Sequence, residues 1–424
     1  MRRRDFLASI AATGLASLTG CDAAAPGVPP GELLGSSLEL GHRLRQPDFP
    51  KPIETRRVPV AIIGGGVGGL SAGWKLDKAG FKDFLLLELE SEVGGNSRSG
   101  RNAVSAYPLG AHYLPLPTRE ATATRELLAE LGVLQGDPRA SRPRYDERYL
   151  CATPQERLFR HGMWQEGLLP NAGVPAAERE QHRRFQDTVS RYREQRDRQG
   201  KRAFAVPMEL SSRDPDLLAL DRVTMRDWLL SQGFDSPTLH WYVDYTCRDD
   251  FGAGSEVVSA WAGIHYFACR DGEAEDAASD VVLTAPEGNA WLMRGLARRV
   301  EGRVQHGALV HRFHDNGREI EIDVWLAGEQ RSLRIVAQQA VWAAPLYLLP
   351  HIWQGAAELK AAAKSYSHAP WLVANLTLDH LPEERAGAPL AWDNVLYGNN
   401  SLGYVVATHQ QMRLRTGATV FTYY

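Results

Sequence analysis

Three glycines spaced G-x-G-x-x-G form the most informative motif in the sequence. They follow the short apolar run 58–63 and open a helix predicted over 70–79. The first glycine permits a tight turn out of a strand, the second lets a diphosphate approach the backbone, and the third lets the helix pack closely on the sheet. The helix start offers free N–H groups and a partial positive charge to phosphates. The predicted nucleotide-binding loop comprises Gly64, Gly66, Val67, Gly68 and Gly69.

An acidic residue ends the next predicted strand. Residues 84–88 are an apolar run that closes on Glu88, and this pattern is typical of a buried parallel strand. Glu88 lies 24 residues after Gly64, close to the interval at which a carboxylate binds the ribose of a dinucleotide. Glu90 is the alternative carboxylate. Both NAD and FAD satisfy this pattern, so the motif alone leaves the cofactor open.

A double glycine, Gly94-Gly95, begins six residues after Glu88. The segment 88–95 resembles the FAD-binding stretch of the flavin amine oxidases, in which an acidic residue is followed at that distance by two glycines. The resemblance implies FAD as the cofactor and favours Glu88 over Glu90.

In that family an arginine often follows the double glycine. Here Asn96 occupies that position, and the resemblance gives the phosphate-facing role to Arg98. Residues 309–313 resemble the strand whose backbone meets adenine, with Val310 at the matching position. Three other segments also resemble the family: 109–113, which would pass the flavin, 286–296, the helix before the second part of the FAD domain, and 340–345, the returning strand.

The resemblance covers residues 56–115 and 281–346 well and the helical middle loosely. It implies an α/β fold: a Rossmann-type FAD-binding domain, with a parallel sheet and a β-meander insertion, plus a mixed helical and antiparallel-sheet substrate domain. The predicted divisions are a signal at 1–20, a tether at 21–55, the FAD-binding domain at 56–115 and 281–346, and the substrate domain at 116–280 (mostly helical) and 347–424. After Pro345 nothing matches the family's closing segment, so the second part of the substrate domain is expected to be incomplete at its end.

The N-terminus predicts export. Residues 2–7, Arg-Arg-Arg-Asp-Phe-Leu, precede a short apolar stretch and resemble a twin-arginine signal. Residues 18–21 resemble a lipoprotein cleavage box, with Cys21 as the lipidated first residue of the mature chain. We therefore expect a protein held by a lipid anchor at the periplasmic face of a bacterial inner membrane. Export of a folded protein also favours a tightly held FAD over an exchangeable nicotinamide.

Flavin chemistry needs few catalytic side chains, because the cofactor itself accepts the hydride. Many members of the family place a lysine near the flavin, and here Ala374 or Asn375 stands at the best-matching position. The catalytic residues are therefore unknown from the sequence. An aromatic and histidine-rich stretch supplies cavity candidates, Trp261, His265 and Tyr266, for which core packing is the competing interpretation.

Composition narrows the alternatives. Charged residues make up 23% of the chain and its net charge is −3, so nothing indicates a nucleic-acid partner. No metal-binding spacing is present, and no hydrolase or phosphotransfer motif.

The sequence favours an FAD-dependent oxidoreductase that removes a hydride from a small organic substrate such as an amine. Its electron acceptor would be oxygen or a membrane quinone. One alternative is a non-catalytic lipoprotein that keeps the fold as a binding or assembly module. Another is an NAD(P)-dependent reductase.

Overall fold

The computed structural model describes residues 29–46, 48–353, 355, 357–411 and 417–424. The chain divides into two units, Met1–Gly35 and Ser36–Tyr424. The described part of the first unit, residues 29–35, contains no helix or strand. The predicted signal and Cys21 lie outside the described residues. None of the helices within these ranges has the length and apolar character needed to span a bilayer.

The second unit contains both helices and strands. The helices are α1 (Leu38–His42), α2 (Val67–Lys78), α3 (Thr122–Glu130), α4 (Ala176–Glu194), α5 (Pro215–Leu218), α6 (Met225–Ser231), α7 (Pro237–Phe251), α8 (Ala260–Ala268), α9 (Ala290–Val300), α10 (Leu349–Ile352) and α11 (Ala357–Ser365). The strands are β1 (Thr55–Ile63), β2 (Phe84–Leu87), β3 (Ser99–Arg101), β4 (Ala106–Pro108), β5 (Tyr113–Pro115), β6 (Leu134–Gln135), β7 (Arg144–Tyr145), β8 (Glu156–Arg160), β9 (Met163–Glu166), β10 (Val282–Thr284), β11 (Val304–Gln305), β12 (Ala308–Asp315), β13 (Ile320–Leu326), β14 (Arg331–Trp342), β15 (Ala374–Leu378), β16 (Asp393–Leu396), β17 (Tyr404–Val406) and β18 (Thr419–Tyr423).

The first large sheet has the strand order β11-β2-β1-β14-β13-β12. Its first four strands run parallel, and β13 and β12 add an antiparallel meander. Helices α2 and α9 pack on one face, where Leu70, Trp74 and Leu296 are buried against Ile62. This is a Rossmann-type arrangement with a β-meander, which confirms the predicted fold class.

One predicted strand differs in detail. The run 303–313 forms two strands, β11 and β12, because the chain turns at Gly307, whose φ is +63°. The break moves β12 to the far edge of the sheet, beside β13. A pattern of apolar residues alone does not reveal such a turn, since the glycine is the only local signal.

The second large sheet has the order β15-β18-β17-β16-β8-β9. Its strands pair antiparallel except β8 and β16, which run parallel. Helix α7 covers part of it, with Tyr245 packed on Leu158 and Val395. The predicted mixed helical and antiparallel-sheet half is confirmed by this arrangement.

Residues 36–46 and 48–54, predicted as part of a tether, pack against the body of the second unit. Ser37 caps α1, and its backbone N–H donates to Glu90 at 2.8 Å. Phe49 stacks on His311 with 4.1 Å between ring centroids, and the Arg43 guanidinium lies over the Phe49 ring at 4.5 Å. Proline and glycine content suggested a flexible linker, but these few aromatic and capping contacts fix the segment.

Candidate cofactor and substrate site

The turn from β1 into α2 requires glycine at its two ends. Gly64 has a φ of +104°, and a Cβ there would lie 2.9 Å from the Ala343 carbonyl carbon. A Cβ on Gly69 would lie 1.8 Å from the Gly64 carbonyl oxygen. The bend of the loop therefore depends on bare backbone, as the motif predicts.

The front of this turn is open. Val67 is 57% exposed and Gly68 is also exposed. Gly66 is the N-cap of α2, and among the residues the structure describes no side chain caps this helix. The first-turn N–H groups thus face outward, which suits a diphosphate.

Glu88 holds the glycine loop in place. The side chain is buried, its Oε2 accepts from the Gly65 N–H at 2.6 Å, and its Oε1 accepts from the Glu90 N–H at 2.8 Å. Glu90, the alternative carboxylate, instead accepts from Ser37. Geometry therefore favours Glu88 as the acidic residue of the nucleotide site.

The double glycine forms the second wall. The Gly94 N–H donates to the Gly65 carbonyl at 2.8 Å, and a Cβ on Gly95 would lie 3.2 Å from the Gly66 Cα. Gly94 has a φ of +123° and Gly95 of +54°. The two glycine loops thus lie backbone to backbone, and we call this pair, with Glu88, the cradle.

Asn96 and Arg98, which follow the double glycine, make different contacts. Asn96 is exposed, and its carbonyl accepts from the Ala111 N–H at 3.0 Å. Arg98 folds back, and its Nε donates to the Gly95 carbonyl at 3.3 Å. The guanidinium therefore stays beside the cradle, where the sequence predicted a phosphate-facing group.

The meander closes the remaining side. The Ala308 N–H at the start of β12 donates to the Glu88 carbonyl at 2.8 Å. Val310 lies two residues further along this strand and is buried. The predicted adenine-side strand is thus joined directly to the backbone of the acidic residue.

Residues 109–113 connect the cradle to the other half of the molecule, and we call them the linking segment. A Cβ on Gly110 would lie 2.5 Å from the Asn96 carbonyl oxygen. At the other end, the Asn289 Nδ2 donates to the Tyr113 carbonyl at 2.8 Å. Segments far apart in sequence, each of which resembles the flavin amine oxidases, therefore meet here.

Beyond the linking segment the structure brings three carboxyl groups together. Glu156 on β8 and Asp393 on β16 are register partners across the parallel pair, and Asp249 comes from α7, which packs on this sheet. All three residues are partly exposed. We call these three carboxyl groups, together with the neighbouring Tyr113, Tyr242 and Tyr424, the acidic chamber.

Hydrogen bonds tie the acidic chamber to the linking segment. The Tyr113 hydroxyl donates to Asp249 Oδ2 at 3.2 Å and accepts from Arg270 at 3.2 Å. Arg270 also donates to Asp250 Oδ1 at 2.7 Å. The Tyr424 hydroxyl donates to the Gly110 carbonyl at 3.0 Å, and its ring stacks on His112 at 4.4 Å.

Without a bound cation, the carboxyl groups and the imidazole of the chamber favour their neutral forms. Burial raises the pKa of Glu156 to about 7, with the nearby Asp280 and Asp249 charges adding to it. Burial also raises the pKa of Asp249 to about 6, opposed by Arg270, and that of Asp393 well above its usual range. Burial lowers the pKa of His112 to about 4, so this imidazole is neutral at pH 7.

The three predicted cavity residues lie in two different places. Tyr266 lies under the Arg270 guanidinium, 3.8 Å from its ring centroid, beside the chamber. Trp261 and His265 stack on each other at 4.9 Å and pack on Phe204 in the helical core. The His265 Nε2 contacts the Ala205 carbonyl at 2.9 Å, so this histidine is held by the backbone.

Asn375, at one of the two positions matched to the family lysine, has a structural contact on each side. Its Nδ2 donates to the Pro108 carbonyl at 3.1 Å, and its Oδ1 accepts from the Thr422 hydroxyl at 2.7 Å. Its amide therefore links β15 to β4 and β18 and is not free to act on a substrate.

Sequence reasoning missed Glu156, Asp393 and Arg270. The one available signal was an acidic residue within an apolar strand, as in the run Trp392-Asp393-Asn394-Val395. Pairing between β8 and β16 was not visible in sequence, because it joins distant segments in parallel.

Comparisons with known proteins agree with this architecture. Residues 62–131 match the model of the NAD(P)-binding Rossmann-like domain. Polyamine oxidase 7 of Oryza sativa subsp. japonica is 40% identical over 60 residues, which is 14% of this chain and 13% of that protein. The match thus spans a small part of the relative's length.

Solved structures extend the likeness to most of the chain. Putrescine oxidase bound to putrescine superposes with a TM-score of 0.62 at 16% identity, covering 87% of this chain and 75% of that one. Cyclohexylamine oxidase from Brevibacterium oxydans gives a TM-score of 0.56 at 15% identity, covering 86% and 74%. The chain has the fold of these amine oxidases, with a Rossmann-type dinucleotide-binding half beside a substrate half.

Proposed function

We propose that the protein is an FAD-dependent oxidoreductase that removes a hydride from a small organic substrate, an amine. The observation that carries the proposal is the continuity between the cradle and the acidic chamber through the linking segment. The same five residues touch Asn96 at one end and Asp249 at the other. A cofactor and a substrate bound in these two places would be neighbours.

The residues of the cradle fit the dinucleotide part of FAD. Glu88 is positioned for the ribose, since each of its oxygens already holds one N–H of the surrounding loops and keeps further acceptor capacity. The uncapped start of α2 would receive the diphosphate. Bound FAD would supply the hydride-accepting chemistry.

The chain's own groups would bind and orient the substrate. The Tyr113 hydroxyl positions Asp249, and the neutral His112 ring offers an aromatic surface that adds no positive charge beside the three carboxyl groups. The acidic chamber attracts a protonated amine and holds its charged end. The double glycine and the likeness to putrescine and cyclohexylamine oxidases support FAD over NAD(P).

The visible absorption spectrum of the purified protein tests the proposal. We expect a flavin spectrum that bleaches when an amine such as 1,4-diaminobutane is added without oxygen. Bound flavin that no amine bleaches, but that dithionite reduces, would contradict the enzymatic role and favour a binding module. A colourless protein that binds NAD would refute FAD as the cofactor.

We also propose that the protein is exported and held by a lipid on Cys21 at the periplasmic face of the inner membrane. The twin-arginine pattern in residues 2–7 and the box at 18–21 support this. Fractionation of cells that produce the wild type and Cys21→Ser distinguishes the outcomes. The wild type should sediment with membranes and the variant should not; equal distribution would contradict the anchor.

The electron acceptor is proposed to be oxygen or a membrane quinone. The lipid anchor would bring the site close to the quinone pool. Reoxidation of the amine-reduced protein, followed by absorbance in oxygenated buffer and in oxygen-free buffer with a water-soluble quinone, assigns the acceptor by rate. If neither oxygen nor the quinone reoxidises the protein, both proposed acceptors are wrong.

A further inference from the structure

We propose that the segment before β1 helps the cradle to retain FAD, with Ser37 and Phe49 as positioning residues. We call residues 37–46 and 48–49 the strap. The inference rests on the proposed function, because it assumes that the cradle binds FAD. It concerns retention of the cofactor, so it can be tested without a substrate.

A path of hydrogen bonds runs from the start of the strap to the carboxylate that is positioned for the ribose. The Ser37 N–H donates to Glu90 Oε1 at 2.8 Å, and the Glu90 N–H donates to Glu88 Oε1 at 2.8 Å. The Gly307 N–H also donates to the Glu90 carbonyl at 3.3 Å. Glu90 is therefore held by the strap through its side chain and by the cradle through its backbone, so a displaced strap would loosen a group that orients Glu88.

A second contact reaches the strand on the predicted adenine side. Strand β12 has a bulge between Val310 and Arg312, which makes His311 the extra residue of the bulge. Phe49 stacks on the His311 imidazole, with 4.1 Å between the ring centroids and 13° between the planes. The His311 Nε2 is buried without a hydrogen-bond partner among the described residues, so the stack is needed to hold this ring beside Val310.

The strap is packed down between these two contacts. Leu44 lies against the buried cluster that includes Leu87, at the end of β2, and Val310. Arg43 directly follows α1, and its guanidinium lies over the Phe49 ring at 4.5 Å. The strap thus connects the end of β2 with the adenine-side strand, the two elements that carry Glu88 and Val310 of the nucleotide site.

A strap that stabilises bound FAD must in turn be stabilised by it. Linkage between two binding events is reciprocal, so the factor by which the strap contacts strengthen FAD binding equals the factor by which FAD strengthens the strap contacts. A segment that serves only the stability of the fold has no such dependence on the cofactor.

Hydrogen exchange, measured by mass spectrometry on the apoprotein and the FAD-bound protein, tests this reciprocity. We expect amides in peptides from the strap to exchange about fivefold or more slowly when FAD is bound, as one coupled hydrogen bond or ring contact predicts. Peptides from α4, which packs in the helical middle, are the internal control and should be unchanged. Equal exchange of the strap in the two forms would overturn the inference.

A pair of variants isolates the hydrogen-bond path. Ser37→Pro removes the N–H that donates to Glu90, and the φ of −65° at this position suits proline. Ser37→Ala is the matched control, because it loses the same side-chain cap on Leu40 but keeps the N–H. Release of FAD from diluted holoprotein, followed by the rise in flavin fluorescence, should be about fivefold faster in the proline variant than in the alanine variant. Equal rates would contradict the role of Ser37.

A second pair isolates the stack. Phe49→Ala removes the contact with His311, whereas Phe49→Tyr keeps the ring. We expect FAD release to be about fivefold faster than wild type in the first and within about twofold of wild type in the second. Val189→Ala, in the core of the helical middle, should lower the melting temperature and leave FAD release unchanged. A lower melting temperature in Phe49→Ala with unchanged release would assign the strap to the fold alone and overturn the inference.

The outcomes separate the two proposals. Strap variants that release FAD faster, in a protein whose flavin no amine bleaches, would refute the proposed oxidation alone. Bleaching by an amine, with equal exchange and equal release throughout, would refute this inference alone. A wild-type protein that takes up no FAD would refute both.

Discussion

Glu156 and Asp393 occupy matching positions on two parallel strands, so that their carboxyl groups share one side of the sheet, and no described lysine or arginine forms an ion pair with either. Like charges placed directly across a strand pair are destabilising. Their neighbours one step further along, Arg157 and Asn394, show the usual solution, a hydrogen bond of 2.6 Å. The acidic chamber therefore carries a cost in stability that its neighbours avoid, which is common at binding sites.

This cost should depend on pH. The folded state holds a proton on Glu156, whose pKa is about 7, that the unfolded chain releases near 4.5, so stability falls as pH rises through this window. Glu156→Gln removes the titration. We expect the difference in unfolding free energy between variant and wild type to grow from pH 4 to pH 8, by on the order of 1–3 kcal/mol.

Urea unfolding at several pH values measures that difference. Glu166→Gln, on the other face of the sheet, should give a difference that stays constant with pH. A pH-independent difference for Glu156→Gln would mean that this carboxyl group titrates normally in the folded protein.

Glycine at the cradle should be irreplaceable. Gly69→Ala places a Cβ 1.8 Å from the Gly64 carbonyl oxygen, so the loop must move and flavin binding should be lost. Gly328→Ala is the control, because a Cβ there meets nothing within 4 Å. The ratio of flavin absorbance to protein absorbance reports the result, and equal ratios in the two variants would place the cofactor elsewhere.

Substitution of the two candidate carboxylates, Glu88 and Glu90, should affect flavin binding differently. Glu88→Ala leaves the N–H groups of Gly65 and Glu90 without their acceptor, at about 1–3 kcal/mol each, and removes the proposed ribose contact. Glu90→Ala frees only the Ser37 N–H. We expect the first variant to be isolated without flavin and the second with it. Flavin retained in Glu88→Ala would mean that another residue binds the ribose.

The segment before β1 should stabilise the second unit. Phe49→Ala removes the stack on His311 and the contact with Arg43, and should lower the unfolding free energy by about 1–3 kcal/mol. Phe81→Ala serves as control, since Phe81 is 37% exposed. Thermal unfolding compares the two. Equal melting temperatures of the two variants would mean that this segment does not stabilise the second unit and acts as a linker.

The cradle was predictable from sequence and the acidic chamber was not, for a physical reason. The cradle is built from residues 64–95, where local spacing sets the turn, the helix start and the acidic residue. The chamber requires β8, α7 and β16 to meet, and only tertiary packing decides this. For His265 the sequence left two interpretations open, because an aromatic-rich helix is compatible both with a cavity wall and with the stacking on Trp261 that the structure shows.

The parallel pairing of β8 with β16 has a kinetic consequence. It joins Arg157 to Asn394 across 237 positions, so a very long loop must close before the carboxyl groups come together. The nucleotide loops need no such closure. We expect pulse-labelling hydrogen exchange during refolding to protect amides of α2, whose hydrogen bonds are local, before those of β8 and β16, so that the helix that opens the cofactor site forms before the carboxyl groups meet.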